Sequence, residues 1–251
     1  MTSLTLKRYI LKHLLIDNYK RDYRLSLTLP KYLNDTLIGL ILSDGGLQRS
    51  SETSNVRLSV IMSIINCPYF FHLYNLFEPY IDNDLNILDI KVPNKQGINI
   101  NYFTVRFKTI SMPQLLYYYN IFYKKNNKKN KWEKIVPIEL KQCFNPISLA
   151  HLIMGDGNYL KEKNIIRIFT NSFVKNDVEL LSRIIKDRIG INSKVIYDRN
   201  NQYIIVIEKD DIIITRNLLL PFMHPSMLYK LGIKNQDFNY KFNYLNIIND
   251  I

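Results

Sequence analysis

Two stretches of the chain stay apolar for several residues and then stop at an acid followed by glycine. Residues 37–45 read LIGLILSDG and residues 149–157 read LAHLIMGDG. Each run predicts a short core helix with Asp44 or Asp156 at its C-terminal end. After each helix the pattern turns β-branched and partly alternating, over residues 57–62 and 165–170, as strands require. Helical spacing returns over residues 68–80 and 176–189, the second with Asn176 or Asp177 as N-cap and Gly190 as stop. Residues 85–92 pair with 99–109, and 193–199 with 202–208 across an Asn-Asn turn, as two further hairpins. Helices over 113–123 and 211–223 close the pattern. The chain therefore reads twice as helix, hairpin, helix, hairpin, helix, and internal repetition at a fixed offset is the signature of a unit built twice.

Residues 124–134 are basic and rich in asparagine, and they predict a linker. The expected organisation is a first repeat with an N-terminal extension over 1–123, the linker over 124–134, and a second repeat over 135–251. A chain of 251 residues, 47% hydrophobic, has material for a sizeable core. Lys and Arg number 34 against 22 Asp and Glu, a net charge of +12, which favours a polyanionic partner over a merely soluble basic protein. Ala150 is the sole alanine amid abundant Ile, Asn, Lys and Tyr, the bias of A- and T-rich coding DNA, so an organellar genome is expected. Cys67 and Cys143 are too few for a disulfide framework or a zinc site. No apolar run reaches the roughly 18 residues that span a bilayer, and neither a signal peptide nor a clean transit peptide is expected.

The helix ends carry the chemistry. The last carbonyls of a helix lack intrahelical partners and its C-terminus is partly negative, so a carboxylate there completes a site attractive to cations. Carboxylate and carbonyl oxygens suit magnesium, with manganese or calcium able to occupy the same place. Gly45 and Gly157 are expected to take the left-handed conformation that terminates helices. Either element alone is an ordinary capped core helix. Two in matching surroundings, packed side by side, would set two carboxylates together, and like charges there call for a metal.

At these residues the chain resembles the LAGLIDADG homing endonucleases, specifically the single-chain, intron-encoded type with two motif copies. The likeness covers nearly the whole chain and includes the small residue before each acid, Ser43 and Gly155. Leu42 and Met154 depart from the family pattern by replacing an earlier acid, and His151 by standing where a glycine would let the helices touch. The resemblance implies an α+β fold of two pseudo-symmetric αββαββα repeats with saddle-shaped antiparallel sheets in the DNA major groove. It also implies a monomer that makes a metal-dependent double-strand break in a long asymmetric DNA target. Asp44 and Asp156, with oxygens of Ser43 and Gly155, would hold Mg2+, and Lys134 and Lys230 resemble the lysines beside each site. Such lysines stabilise developing phosphorane charge or polarise water.

Base reading is expected from one face of the strands. Alternation sets Thr104, Arg106 and Lys108 opposite Phe103, Val105 and Phe107. Gln48, Arg49, Arg57, Ser59, Lys91, Lys161, Arg167, Lys194 and Gln202 are further candidates, since Arg and Gln make bidentate contacts with guanine and adenine edges. An RNA-binding maturase of the same fold, acting on intron RNA, remains an alternative. So does a non-cutting DNA-binding descendant, which would have no need of two metal-holding acids. A mitochondrion or other organelle is the expected location, with no membrane partner.

Overall fold

The structure is a computed structural model that describes residues 17–81, 85–93, 99–127 and 130–234. Two antiparallel four-stranded sheets dominate it. The first, of order β1-β2-β4-β3, comprises β1 (Gly45–Arg49), β2 (Val56–Ser63), β3 (Asn86–Pro93) and β4 (Asn99–Lys108). The second, of order β7-β8-β10-β9, comprises β7 (Gly157–Leu160), β8 (Ile165–Ile168), β9 (Lys194–Tyr197) and β10 (Tyr203–Ile207). The identical strand order bears out the doubled αββαββα reading.

Contacts group the described residues into two units, 17–29 with 45–116, and 30–44 with 117–234. In the first, the inward positions of the sheet, Leu47, Leu58, Val60, Met62, Val105 and Phe107, are buried. The helix Cys67–Phe77 covers them because Tyr69, Phe70, Leu73 and Phe77 recur at helical spacing. Phe107 meets Phe70, Tyr74 and Phe77 at ring distances of 5.4, 5.9 and 6.2 Å. Each of the buried rings Phe70, Phe77 and Phe107 contributes about 1.5–3 kcal/mol by leaving water. Tyr80 ties the unit to its N-terminal segment by donating to the Thr28 carbonyl.

In the second unit Ile166, Ile168, Ile205 and Ile207 are buried, as are Val178, Leu181, Ile184 and Ile185 of the helix Lys175–Ile189. That helix ends, as expected, at Gly190 with φ +81°, but its N-cap is Val174, without a side-chain cap bond. Asp177 instead accepts from the Val136 amide at 3.4 Å. Asn200 and Asn201, at φ 48° and 59°, form the predicted two-residue turn between β9 and β10.

The same unit holds both apolar motif helices, Lys31–Leu42 and Pro146–Asp156, packed on each other. A Cβ added at Gly39 would lie 2.4 Å from the Ser148 carbonyl oxygen and 2.7 Å from the His151 Cβ, so only glycine permits this approach. Ser148 donates its hydroxyl across the contact to the Asp35 carbonyl at 2.9 Å. His151, fully buried, sits 3.1 Å from the Thr36 hydroxyl and is an interface residue.

The basic stretch read as a linker differs from expectation. It is a two-stranded antiparallel ribbon, β5 (Tyr123–Asn126) with β6 (Lys131–Lys134), in the register Tyr123 to Lys134 through Asn126 to Lys131. Asn130, just before β6, has φ 45°, a left-handed conformation that asparagine tolerates. Among the described residues no helix is long and apolar enough to cross a membrane.

Candidate active site

The two motif helices end differently. The first stops at Leu42 because the Ser43 hydroxyl donates to the Gly39 carbonyl at 2.9 Å and the Ser43 amide turns back to Leu40. Asp44 thus stands in a turn, two residues beyond the helix. Gly155 has no side chain to compete, and the second helix runs on to include Asp156. Neither terminus uses the left-handed conformation expected of its glycine. Gly157 is extended, at φ −81° and ψ 153°, and Gly45 opens β1. What requires glycine at 157 is space, since a Cβ there would lie 2.4 Å from the Ile153 carbonyl oxygen.

The helix ends meet closely. A Cβ on Gly155 would lie 2.4 Å from the Ser43 Oγ and 3.3 Å from an Asp44 carboxylate oxygen. Asp156 is half-buried and its carboxyl is pushed up to about 7, first by burial and then by the Asp44 charge, with Lys230 and Lys134 opposing. The Asp44 carboxyl is also raised by burial, against Lys230 and Lys134. Asp44 is nonetheless exposed by surface area, so protein crowds one side of its carboxylate while the other is open to solvent.

Both predicted lysines come to these ends. The Lys134 ammonium lies 3.4 Å from the Ser43 carbonyl oxygen, and burial pulls its pKa down to about 8 despite Asp156 and Asp44. Lys230 is buried and donates to the Met154 and Gly155 carbonyls. Its ammonium is likewise lowered by burial, with Asp44 and Asp156 opposing. The oxygens of Ser43 and Gly155 expected for a metal therefore each carry a lysine contact. Lys230 is placed by the 3-10 turn Pro225–Leu231, capped by His224 accepting from the Ser226 amide and ended by Gly232 at φ +72°. Arg216 braces it, donating to the Leu231 carbonyl at 2.8 Å from above the Tyr159 ring. That bracing is absent from the sequence reading, since its partners are backbone carbonyls and a distant ring.

The strand candidates divide by register. Gln48 opposes Arg57, Ser59 opposes Lys108, Ile61 opposes Arg106 and Ser63 opposes Thr104, so Gln48, Arg57, Ser59, Thr104, Arg106 and Lys108 share one face. Burial and then Arg106 and Arg57 pull the Lys108 ammonium down, which marks a crowded cationic cluster. Ser59 Oγ and Arg106 Nε are buried without a hydrogen-bond partner. Arg49 falls on the other face and donates to the Ser54 and Glu52 carbonyls. Lys91 belongs to β3, but its side chain lies outside the described residues.

On the second sheet Arg167 and Lys194 share a face through Val206. Arg167 donates to Asn158 at 2.7 Å, Lys194 pairs with Glu208 at 2.7 Å, and Gln202 accepts from Asn171 at 2.9 Å. Lys161 is exposed in the turn after β7.

Two acids and two lysines gather where the two helix ends touch. A profile described as the LAGLIDADG DNA endonuclease family matches residues 35–213. The chain belongs to that family. It is 25% identical over 217 residues to the DNA endonuclease I-ChuI of Chlamydomonas applanata, covering 84% of this chain and 99% of that one. It is also 26% identical over 200 residues to the cytochrome b mRNA maturase bI2 of Saccharomyces cerevisiae, 78% of this chain and 46% of that protein. Among solved structures it is similar to the homing endonuclease I-WcaI bound to its DNA recognition sequence, at a TM-score of 0.74 and 25% identity. That likeness covers 88% of this chain and 97% of the other.

Proposed function

We propose that the chain is a monomeric homing endonuclease in which Asp44 and Asp156 hold Mg2+ for double-strand cleavage of a long, asymmetric DNA target. The observation that carries this is the close meeting of the two acidic helix ends inside one unit, with a lysine on each. The residues fit the metal. The donors are hard oxygens, Gly155 leaves space where a side chain would press on Ser43 and Asp44, and the Asp44 charge raises the Asp156 carboxyl even with Lys230 and Lys134 opposing. Among the described residues no group of three or more His, Cys, Asp or Glu could hold a metal. A two-carboxylate site completed by water and substrate phosphate is the pattern magnesium accepts.

Bound there, the ion would polarise a phosphate oxygen and make water a better nucleophile. Asp44 and Asp156 would hold the ion, each acid serving the phosphodiester of one strand. Lys134 and Lys230 set positive charge where the pentavalent phosphate gathers negative charge. The face of the first sheet that carries Gln48, Arg57, Thr104, Arg106 and Lys108 supplies phosphate and base-edge contacts. Likeness to DNA endonucleases over nearly the whole chain supports the DNA target, and the A- and T-coded composition supports an organellar origin.

The test is supercoiled plasmid carrying the joined exon sequence that flanks the reading frame. The wild-type chain should linearise it with magnesium and leave it intact with EDTA. Asp44→Asn and Asp156→Asn should each retain binding and lose linearisation. Full linear product from both variants would end the mechanism. Likeness to a maturase favours intron RNA as a second partner, which a splicing assay with the Asp44→Asn variant separates from cutting.

A further inference from the structure

The ribbon of β5 and β6 is an unassigned part of the molecule with the chemistry of a nucleic-acid contact. Its register pairs Tyr123 with Lys134, Lys124 with Glu133, Lys125 with Trp132 and Asn126 with Lys131. Cross-strand partners share a face and successive pairs alternate. Tyr123, Lys125, Trp132 and Lys134 therefore lie on one face, and Lys124, Asn126, Lys131 and Glu133 on the other. The aromatic contacts agree. Tyr119 stacks on Tyr123 at 4.9 Å and 10°, and meets Trp132 at 5.6 Å. Trp132 leans on a buried ring but keeps 43% of its own surface open, and Lys125 is exposed beside it.

The same face carries Lys134, whose ammonium reaches the Ser43 carbonyl next to Asp44. Two residues along a strand span about 6.6 Å, so Trp132, paired with Lys125, stands about that far along β6 from Lys134. The geometry points to a DNA-gripping role for this face. Lys125 takes a backbone phosphate flanking the scissile one, and Trp132 stacks against the adjoining sugar or an unstacked base. This deepens the endonuclease reading and rests on it. The chemistry matches the electrostatic and aromatic pairing that holds nucleic-acid backbones without reading sequence.

Trp132 is the only tryptophan in the chain, so its emission reports on the ribbon alone. The full chain, with calcium in place of magnesium, is titrated with an unlabelled duplex of the joined exon sequence. A fluorescein-labelled copy gives the affinity by anisotropy. Trp132 emission should change by about twofold or more and lose accessibility to acrylamide, with the same midpoint as the anisotropy. Lys125→Gln should make the slope of log affinity against log salt shallower by about 0.9, the contribution of one phosphate contact. Its deficit relative to wild type should therefore change by about threefold between 50 and 200 mM salt. Lys131→Gln, exposed on the opposite face, should leave the slope unchanged. Trp132→Phe, which keeps a ring against Tyr119, should weaken binding while the thermal melt stays the same.

Unchanged emission and acrylamide quenching at saturating duplex would overturn the proposal. So would equal slopes for the Lys125 and Lys131 variants, or a Trp132 response to an RNA stem-loop but none to the duplex. The plasmid assay reports separately. If Asp44→Asn cuts normally, the nuclease mechanism falls, while the tryptophan signal still decides the ribbon.

Discussion

At the scale of residues, two glycines that look alike in sequence should fail for different reasons. Gly39→Ala drives a methyl into the backbone of the opposing helix and should cost about 1–3 kcal/mol in urea unfolding. Gly190→Ala meets no atom within 4 Å and should cost about 1 kcal/mol, from left-handed strain alone. The titrating groups of the site make a second prediction, for metal-free protein. The folded state holds the Asp156 carboxyl near 7 against an ordinary 3.8, so it binds the extra proton between those values. Its contribution is complete below about pH 4 and is lost as pH rises through 7. Lys134, held near 8 against 10.5, runs the other way, and stability recovers with pH across that interval. A minimum near pH 7–8 is expected in denaturant midpoints, and Asp156→Asn should shrink the fall between pH 4 and 7, leaving the part that the raised Asp44 carboxyl contributes. Because a ligand carboxylate must be ionised, magnesium should release about one proton on binding at pH 6, measurable by calorimetry in buffers of different ionisation enthalpy.

At the scale of elements, both acidic-tipped helices were legible in the sequence, because a continuous apolar run closed by Asp-Gly has few other uses. Their terminal geometry was not. It depends on whether residue 43 or 155 brings a hydroxyl to compete for a backbone carbonyl, a choice that pattern alone does not weigh. The Asn-Asn turn was legible because asparagine tolerates positive φ. The ribbon was hidden for the opposite reason, since lysine and asparagine have weak strand propensity and its pairing depends on packing against Tyr119. The two lysines could be placed only by resemblance, as each is positioned by carbonyls far away in sequence. The sheets also predict unequal variants. Arg106→Ala removes a cation from a cluster with an orphaned donor, whereas Lys194→Ala releases an existing ion pair with Glu208. In duplex-binding titrations the Arg106 variant should lose about tenfold or more in affinity, consistent with 1–3 kcal/mol for a good base contact. The Lys194 variant should change little.

At the scale of the whole molecule, a net charge of +12 predicts that duplex affinity falls by orders of magnitude between low and physiological salt, with a log–log slope set by the number of phosphates met. A filter-binding series over that range measures it, and an affinity indifferent to salt would exclude phosphate-led binding. The doubled architecture was the most legible feature, since repetition survives even where individual positions have drifted. The boundary drawn from the repeat, at 123 and 135, and the grouping drawn from contacts answer different questions. The first follows sequence similarity, while the second follows the motif helix Lys31–Leu42 to the partner helix it packs on.

That helix pair is lopsided: one member offers a bare backbone at Gly39 and the other fills the gap with His151. The two halves are therefore not interchangeable at this seam. Two second halves would force two imidazoles into the space that one now fills, whereas two first halves would set glycine against glycine and let the helices close up. A designer who wished to build a symmetric dimer from the second half would have to redraw that seam before touching anything that meets DNA.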